Sequence, residues 1–488
     1  MHRLNAVDAQ WLVSDDGRQH THVSMVTLLE GTAADGTPIT LDSIRDLLEQ
    51  RIHLMPVFRW RLREVPLNLD YPLLVEDPEF DLDEHLWEVA VPKPGTNEQL
   101  EDLVSQVHSR PLDLTRPLWE LHLIHGLEGG RVAVLTKVHH AAVDGVNGIE
   151  LLGTMLDPTP EGRPIEPPRE SAPEREPSDV ELALRGVAAL PRQAYRAARA
   201  TPRTLRNMDQ AFLRNIPGTE PASSAARRLY DLFTSGRDGE ILSQPAGQAP
   251  HIRMGGPVSP HRAWAFTTQD LATVKAIRAK YPGMTVNDVL VAICAGAMRR
   301  RLQARGELPS DPLIAANLLY VGSGATGRGN HISIMFTELP TNEPDPKVRL
   351  TRSHERLAEV KSMHQAVPAP VLMEAAATTP PVMLSGAART LAVLAASGMV
   401  RPSHNVVISN LPGPQVPLFM AGARVLGQYP VNLVMDGMAA SFTILSYNGS
   451  LDIGITTDRQ NAPDVRELAR DFVDELQLLA QVVGVAEE

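Results

Sequence analysis

The chain reads as an α/β protein of two blocks joined by a proline-rich and then basic connector, and three observations carry that reading. Two long stretches mix β-branched apolar runs with amphipathic helical periodicity. Between them, Pro158 to Pro177 carries seven prolines among many charges, a composition that suits an exposed linker. The 488 residues, 43% apolar and 21% charged, are enough for two ordinary domains with their own cores and a connector. The expected boundaries are 1–160, 161–260 and 261–488.

In the first block, the aliphatic runs His22 to Leu29 and Val132 to Val138 predict buried strands. Leu41 to Leu54 and Asn97 to His108 are amphipathic and predict helices. Trp119 to His125 should pair with Val132 to Val138 as an antiparallel hairpin, because LEGGR between them puts two glycines at the tip. Gly148 to Leu156 then looks helical.

The connector continues from Leu182 to Arg206 with six arginines and no acidic residue: Arg185, Arg192, Arg196, Arg199, Arg203 and Arg206. On a helix they keep within about one quadrant, and Pro191 and Pro202 divide it into short pieces. A face of one sign on an acidic protein predicts contact with an anionic membrane or lipid-inclusion surface.

In the second block, Leu271 to Ala279 is helical, and Thr285 is a plausible N-cap with Asp288 three positions on, where a carboxylate suits a helix start. Asn330 to Leu339, Asn405 to Ser409, Met438 to Tyr447 and Leu451 to Thr456 predict strands, and Val465 to Val483 a closing helix. The apolar stretch Val382 to Val400 contains Arg389, so it reads as a buried or interfacial helix and not as a membrane span.

HHAAVDG, His139 to Gly145, follows a strand directly. Side chains alternate between strand faces, so His140 shares a face with Val134, Thr136 and Val138 while His139 points the other way with Leu135 and Lys137. An imidazole is well matched to taking a proton from a hydroxyl near neutral pH. His140 is the candidate base. Asp144 can pair with an arginine or cap the following helix, and Gly145 leaves room for a substrate.

These residues resemble the bacterial wax ester synthase/diacylglycerol acyltransferases of the CoA-dependent acyltransferase superfamily. LNAVDAQWL at Leu4 to Leu12 looks like the family's opening segment, RPLWE at Arg116 to Glu120 its Pro-Leu-Trp motif, VNDVL at Val286 to Leu290 its Asn-Asp motif, and SNLPGP at Ser409 to Pro414 its late glycine/proline turn. The resemblance implies two acyltransferase-like domains with mixed sheets flanked by helices and an active-site tunnel at their interface. It implies catalytic roles for His140, His139, Asp144, Gly145 and Asn287, and substrate contacts for Pro117, Leu118, Trp119 and Asp288. Acyl-CoA is then a co-substrate, a diacylglycerol or long-chain alcohol is the acceptor, and no cofactor or metal is expected. Asn317 to Asn330 departs from the family's Val-Pro-Val-Ser-x-Arg stretch, lacking both its proline and an arginine at that spacing. A condensation-type domain using a carrier-bound donor and a non-catalytic lipid-binding homologue are the alternatives.

Other signals are weaker. A net charge of −12 argues against nucleic acid as a partner. The single cysteine, Cys294, sits in an apolar run and reads as a structural thiol in a reducing compartment. The N-terminus lacks the pattern of a secretory signal, which predicts a cytoplasmic protein. GSGATG, Gly322 to Gly327, matches a dinucleotide fingerprint only formally, because a strand and not a helix follows it. It reads as a connection between strands.

Overall fold

The computed structural model describes residues 2–142, 153–167, 175–189, 249–320, 332–364 and 402–485. The first block forms β1 (His2–Arg3), α1 (Ala6–Ser14), β2 (His22–Leu29), α2 (Leu41–Arg51), β3 (Trp60–Arg63), β4 (Leu73–Glu76), β5 (Leu86–Ala90), α3 (Asn97–His108), β6 (Trp119–His125) and β7 (Val132–His139). The second forms β8 (Arg262–Asp270), α4 (Leu271–Ala279), α5 (Val286–Ala304), β9 (Leu313–Tyr320), β10 (Ile332–Leu339) and α6 (Pro346–His364). It continues with β11 (Val406–Pro412), β12 (Phe419–Met420), β13 (Ala423–Val431), β14 (Ala440–Tyr447), β15 (Ser450–Asp458) and α7 (Val465–Val483).

Two six-stranded mixed sheets result, with a small sheet β1-β4-β3 beside them. The first has the order β12-β13-β2-β7-β6-β5, so the second block lends it two strands. The second has the order β10-β9-β11-β14-β15-β8, with β11 parallel to both neighbours. This is a two-domain α/β fold. The helix expected to reach Leu54 stops at Arg51 and ends in a 3₁₀ turn, Ile52–Leu54. Pro56 drives Met55 out of the α region, so the helical turn runs no further than Leu54.

β6 and β7 form the expected antiparallel hairpin, with Gly129 and Gly130 at positive φ in its turn. β7 is buried along its length, and its alternation sorts two cores. Val132, Val134 and Val138 face Ile44 and Leu48 of α2. Ala133 and Leu135 face Leu100 and Val104 of α3. In the second domain, α5 is enclosed by α7, α6 and its sheet and is buried on nearly all sides. Cys294 lies on it with no exposure, and burial pushes its thiol up, as befits a structural residue.

β9 and β10 pair antiparallel, Tyr320 opposite Ile332, so the glycine-rich segment joins neighbouring strands. Gly322 to Gly327 themselves lie outside the described residues, as do Val382 to Val400, Arg192, Arg196, Arg199, Arg203 and Arg206 of the connector, and most of Gly148 to Leu156. Arg185 pairs with Glu181 at 2.7 Å. Among the described residues no helix is long and apolar enough to cross a membrane.

α3 joins the two domains. β8 is the edge of the second sheet, and its outward N–H groups need partners. Ser109 Oγ accepts from Arg262 N–H (2.8 Å), Ser105 Oγ from Trp264 N–H (2.9 Å) and Glu101 Oε1 from Phe266 N–H (3.1 Å). Four residues of helix rise about 6.0 Å and two of strand about 6.6 Å, so the two periods match over this length. Arg466 of α7 adds a bond to Glu101 Oε2 at 2.7 Å.

The first domain holds the C-terminal end of the same helix. His22 Nε2–H donates to His108 O (2.7 Å), Ser24 Oγ pairs with His108 Nδ1 (2.9 Å), and the buried Lys137 ammonium donates to the carbonyls of Val107 and Arg110. A cation there also complements the helix dipole.

Ser105→Ala should cost about 1–3 kcal/mol by leaving the Trp264 N–H unsatisfied; a thermal melt equal to wild type would contradict the seam. Burial pushes the His22 and His108 imidazoles well below their ordinary value near 6.5. The unfolded chain then takes up protons that the folded one refuses, so this part of the stability is complete above pH 6.5 and is lost as pH falls below it. Asp452, pushed up to about 6 by burial, acts in the opposite direction. The histidine contribution is therefore read as a difference: between pH 7 and pH 5, His22→Gln should lose less stability than wild type, by up to about 2 kcal/mol. Parallel curves for the two proteins would exclude it.

Candidate active site

The end of β7 is tied to both neighbouring strands. His139 N–H donates to Leu118 O and His140 N–H to Thr21 O, each at 2.9 Å. The chain then turns, with Ala142 N–H on His139 O (3.0 Å) and Ala141 N–H on His139 Nδ1 (3.1 Å).

The two histidines differ as their opposite faces require. His139 is wholly buried, and because its Nδ1 accepts the Ala141 N–H, its proton sits on Nε2. Nε2 faces Thr21 Oγ1 at 3.1 Å and Asp15 Oδ2 at 3.6 Å. Burial pushes the Asp15 carboxyl up, but bonds to His139, His20 and the Thr21 amide outweigh it and hold Asp15 well below the usual carboxylate range. His140 is only partly buried, and its ring stacks on the Trp11 indole of α1 at 4.3 Å with 24° between the planes. Leu4, Leu12, Leu118, Ala141 and Ala142 pack around this point. Asp144 and Gly145 lie outside the described residues.

The Pro-Leu-Trp segment reaches the site through its backbone. Leu118 supplies the carbonyl under His139. Trp119 turns into the core, where its indole lies between Phe58 (4.6 Å) and His85 (4.6 Å) and donates to Phe58 O at 2.8 Å. Its visible task is to anchor the start of β6. Pro117 forms an isolated bridge with Arg61 of β3.

Asn287 and Asp288 stand in the first turn of α5, in the second domain. Thr285 and Asp288 form a capping box, Thr285 Oγ1 accepting from Asp288 N–H and Asp288 Oδ2 accepting from Thr285 N–H. Asp288 Oδ2 also meets His354 Nδ1 of α6 at 2.8 Å, with Lys361 Nζ 3.6 Å from Oδ1. Asp288 Oδ2 is thus engaged in fixing the helix start, while the buried Oδ1 has no hydrogen-bond partner among the described residues. Asn287 is different: its side-chain nitrogen is buried with no acceptor among the described residues. SNLPGP runs along β14 as the end of β11, and Gly413 is required there because a Cβ would stand 2.4 Å from Ser446 O.

Trp11, Asp15, Thr21 and His354 were given no role by the sequence. Trp11 lies in the recognised opening segment, but nothing in that segment points it at His140; the other three carry no motif at all.

A family model described as the wax ester synthase/diacylglycerol acyltransferase catalytic domain matches residues 4–290, and the model of the family's C-terminal domain matches residues 328–480. A relative from Mycobacterium tuberculosis named for diacylglycerol O-acyltransferase activity is 33% identical over 97% of this chain and 95% of its own. The O-acyltransferase WSD of Acinetobacter baylyi is 29% identical, covering 100% of this chain and 99% of its own. Among solved structures, the wax ester synthase/diacylglycerol acyltransferase of Marinobacter aquaeolei VT8 superposes with a TM-score of 0.67 at 26% identity, over 99% of this chain and 100% of that one. With both family models matched and relatives of full length, the chain belongs to the wax ester synthase/diacylglycerol acyltransferase family.

Proposed function

We propose that this chain transfers an acyl group from acyl-CoA to the hydroxyl of a diacylglycerol or a long-chain alcohol, with His140 as general base. Family membership supports the O-acyl transfer. The observation that carries the base assignment is the asymmetry at the strand end: His139 is sealed in the core with both ring nitrogens engaged, while His140 is partly exposed.

In the reaction, His140 takes the hydroxyl proton as the oxygen attacks the thioester carbonyl. The C–S bond then breaks, the imidazolium returns the proton to the departing thiolate, and ester and free CoA result. General-base catalysis supplies about 100 to 10,000-fold, so positioning and oxyanion stabilisation supply the remainder. The buried amide of Asn287 suits the oxyanion donor, because that nitrogen still needs an acceptor. Asp144 and Gly145 fall to positioning and to substrate clearance. No cofactor, metal or covalent acyl-enzyme is needed. The basic segment Arg192 to Arg206 fits peripheral contact with an anionic membrane or lipid-inclusion surface, which would bring apolar acceptors to a protein that resides in the cytoplasm.

Product analysis tests this. Incubation with free acyl-CoA and a panel of diacylglycerols and fatty alcohols should give the corresponding esters and one CoA per ester. Turnover only with a carrier-bound acyl donor, or none with any acceptor, would overturn the proposal.

A further inference from the structure

Thr21 precedes β2 and is fully buried, yet each of its polar groups has a partner around the strand end. Its hydroxyl donates to Trp11 O at 2.9 Å, which turns the oxygen lone pairs toward His139 Nε2 at 3.1 Å. Its carbonyl accepts the His140 N–H at 2.9 Å, and its own N–H faces Asp15 Oδ2 at 3.4 Å.

We propose that Thr21 is a positioning residue for acyl transfer, a role that rests on His140 being the base. The hydroxyl acts through His139. By accepting Nε2–H, at 3.1 Å against 3.6 Å for the Asp15 carboxylate beyond it, the hydroxyl leaves a lone pair on Nδ1, and that lone pair receives the Ala141 N–H which shapes the turn bearing His140. With the proton on Nδ1 instead, two N–H groups would oppose each other and the turn would open. The carbonyl of Thr21 pins the His140 backbone directly, and the residue that receives the Thr21 hydroxyl, Trp11, also stacks on the His140 ring. The contacts close a circuit around the base. Because displacement of a reacting group by about 1 Å can cost 100-fold in rate, fixing this aim matters to turnover.

The test compares Thr21→Val, which keeps the shape and removes the hydroxyl, with Thr21→Ser, which keeps the hydroxyl. Thr21→Val should lower kcat about tenfold or more with KM for acyl-CoA and alcohol nearly unchanged, and Thr21→Ser should restore most of the rate. Wild-type kcat in Thr21→Val, or a Thr21→Ser enzyme equally slow, would overturn the role of the hydroxyl. Nitrogen-15 NMR of histidine-labelled wild-type protein, with the His139 signals identified by their loss in His139→Gln, reads the tautomer without any turnover. A proton on Nε2 is expected, and one on Nδ1 would overturn the proposal even if Thr21→Val failed to fold. Since that spectrum needs no substrate, absence of acyl transfer would count against the function and not against the tautomer lock.

Discussion

The hydrogen bonds from the edge of β8 to one face of α3 are the constraint on which the rest of the molecule depends. An exposed sheet edge must find donors' partners somewhere. Here Ser109, Ser105 and Glu101 meet alternate residues of the strand because the rise of four helical residues nearly equals that of two strand residues. The C-terminal end of the same helix is held by His22, Ser24 and Lys137 of the first sheet. One helix therefore sets the second domain against the strand that carries the paired histidines. β13, laid along β2, is a second tie between the domains.

The chemistry follows from how β7 ends. A strand buried on both faces delivers consecutive side chains to opposite sides, so adjacent histidines meet different surroundings without any further device. The inward ring is used to shape a turn. The outward ring is left partly exposed and stacked against an indole. Asn287 stands in the other domain, at a helix start already secured by Thr285 and Asp288. That division of labour leaves its amide nitrogen without an acceptor among the described residues.

Much of this was legible in the sequence. The aliphatic runs of β2 and β7, the helix Asn97–His108 and the closing helix Val465–Val483 follow local periodicity and appear where it places them. The inequivalence of His139 and His140 follows from strand alternation alone. What could not be read depends on distant partners. β13 contains Gly427 and Pro430, weak strand residues, and its place in the first sheet is set by pairing with β2 nearly 400 residues away. The α3–β8 seam rests on two serines and a glutamate that look like an ordinary polar helix face. Thr21 meets His139 across 118 positions of sequence, and no motif announces the meeting. Trp119 was recognisable as part of a motif, but its burial between Phe58 and His85 needed the fold.

Initial release of CoA by His140→Ala, at saturating alcohol acceptor and paired with a thermal melt, tests most directly whether the partly exposed histidine of the strand end is the base. The variant should melt like the wild type and turn over at less than about a tenth of its rate, because proton transfer is lost while the His139 anchor stays. A folded His140→Ala protein that keeps more than about a tenth of wild-type turnover would contradict the assignment.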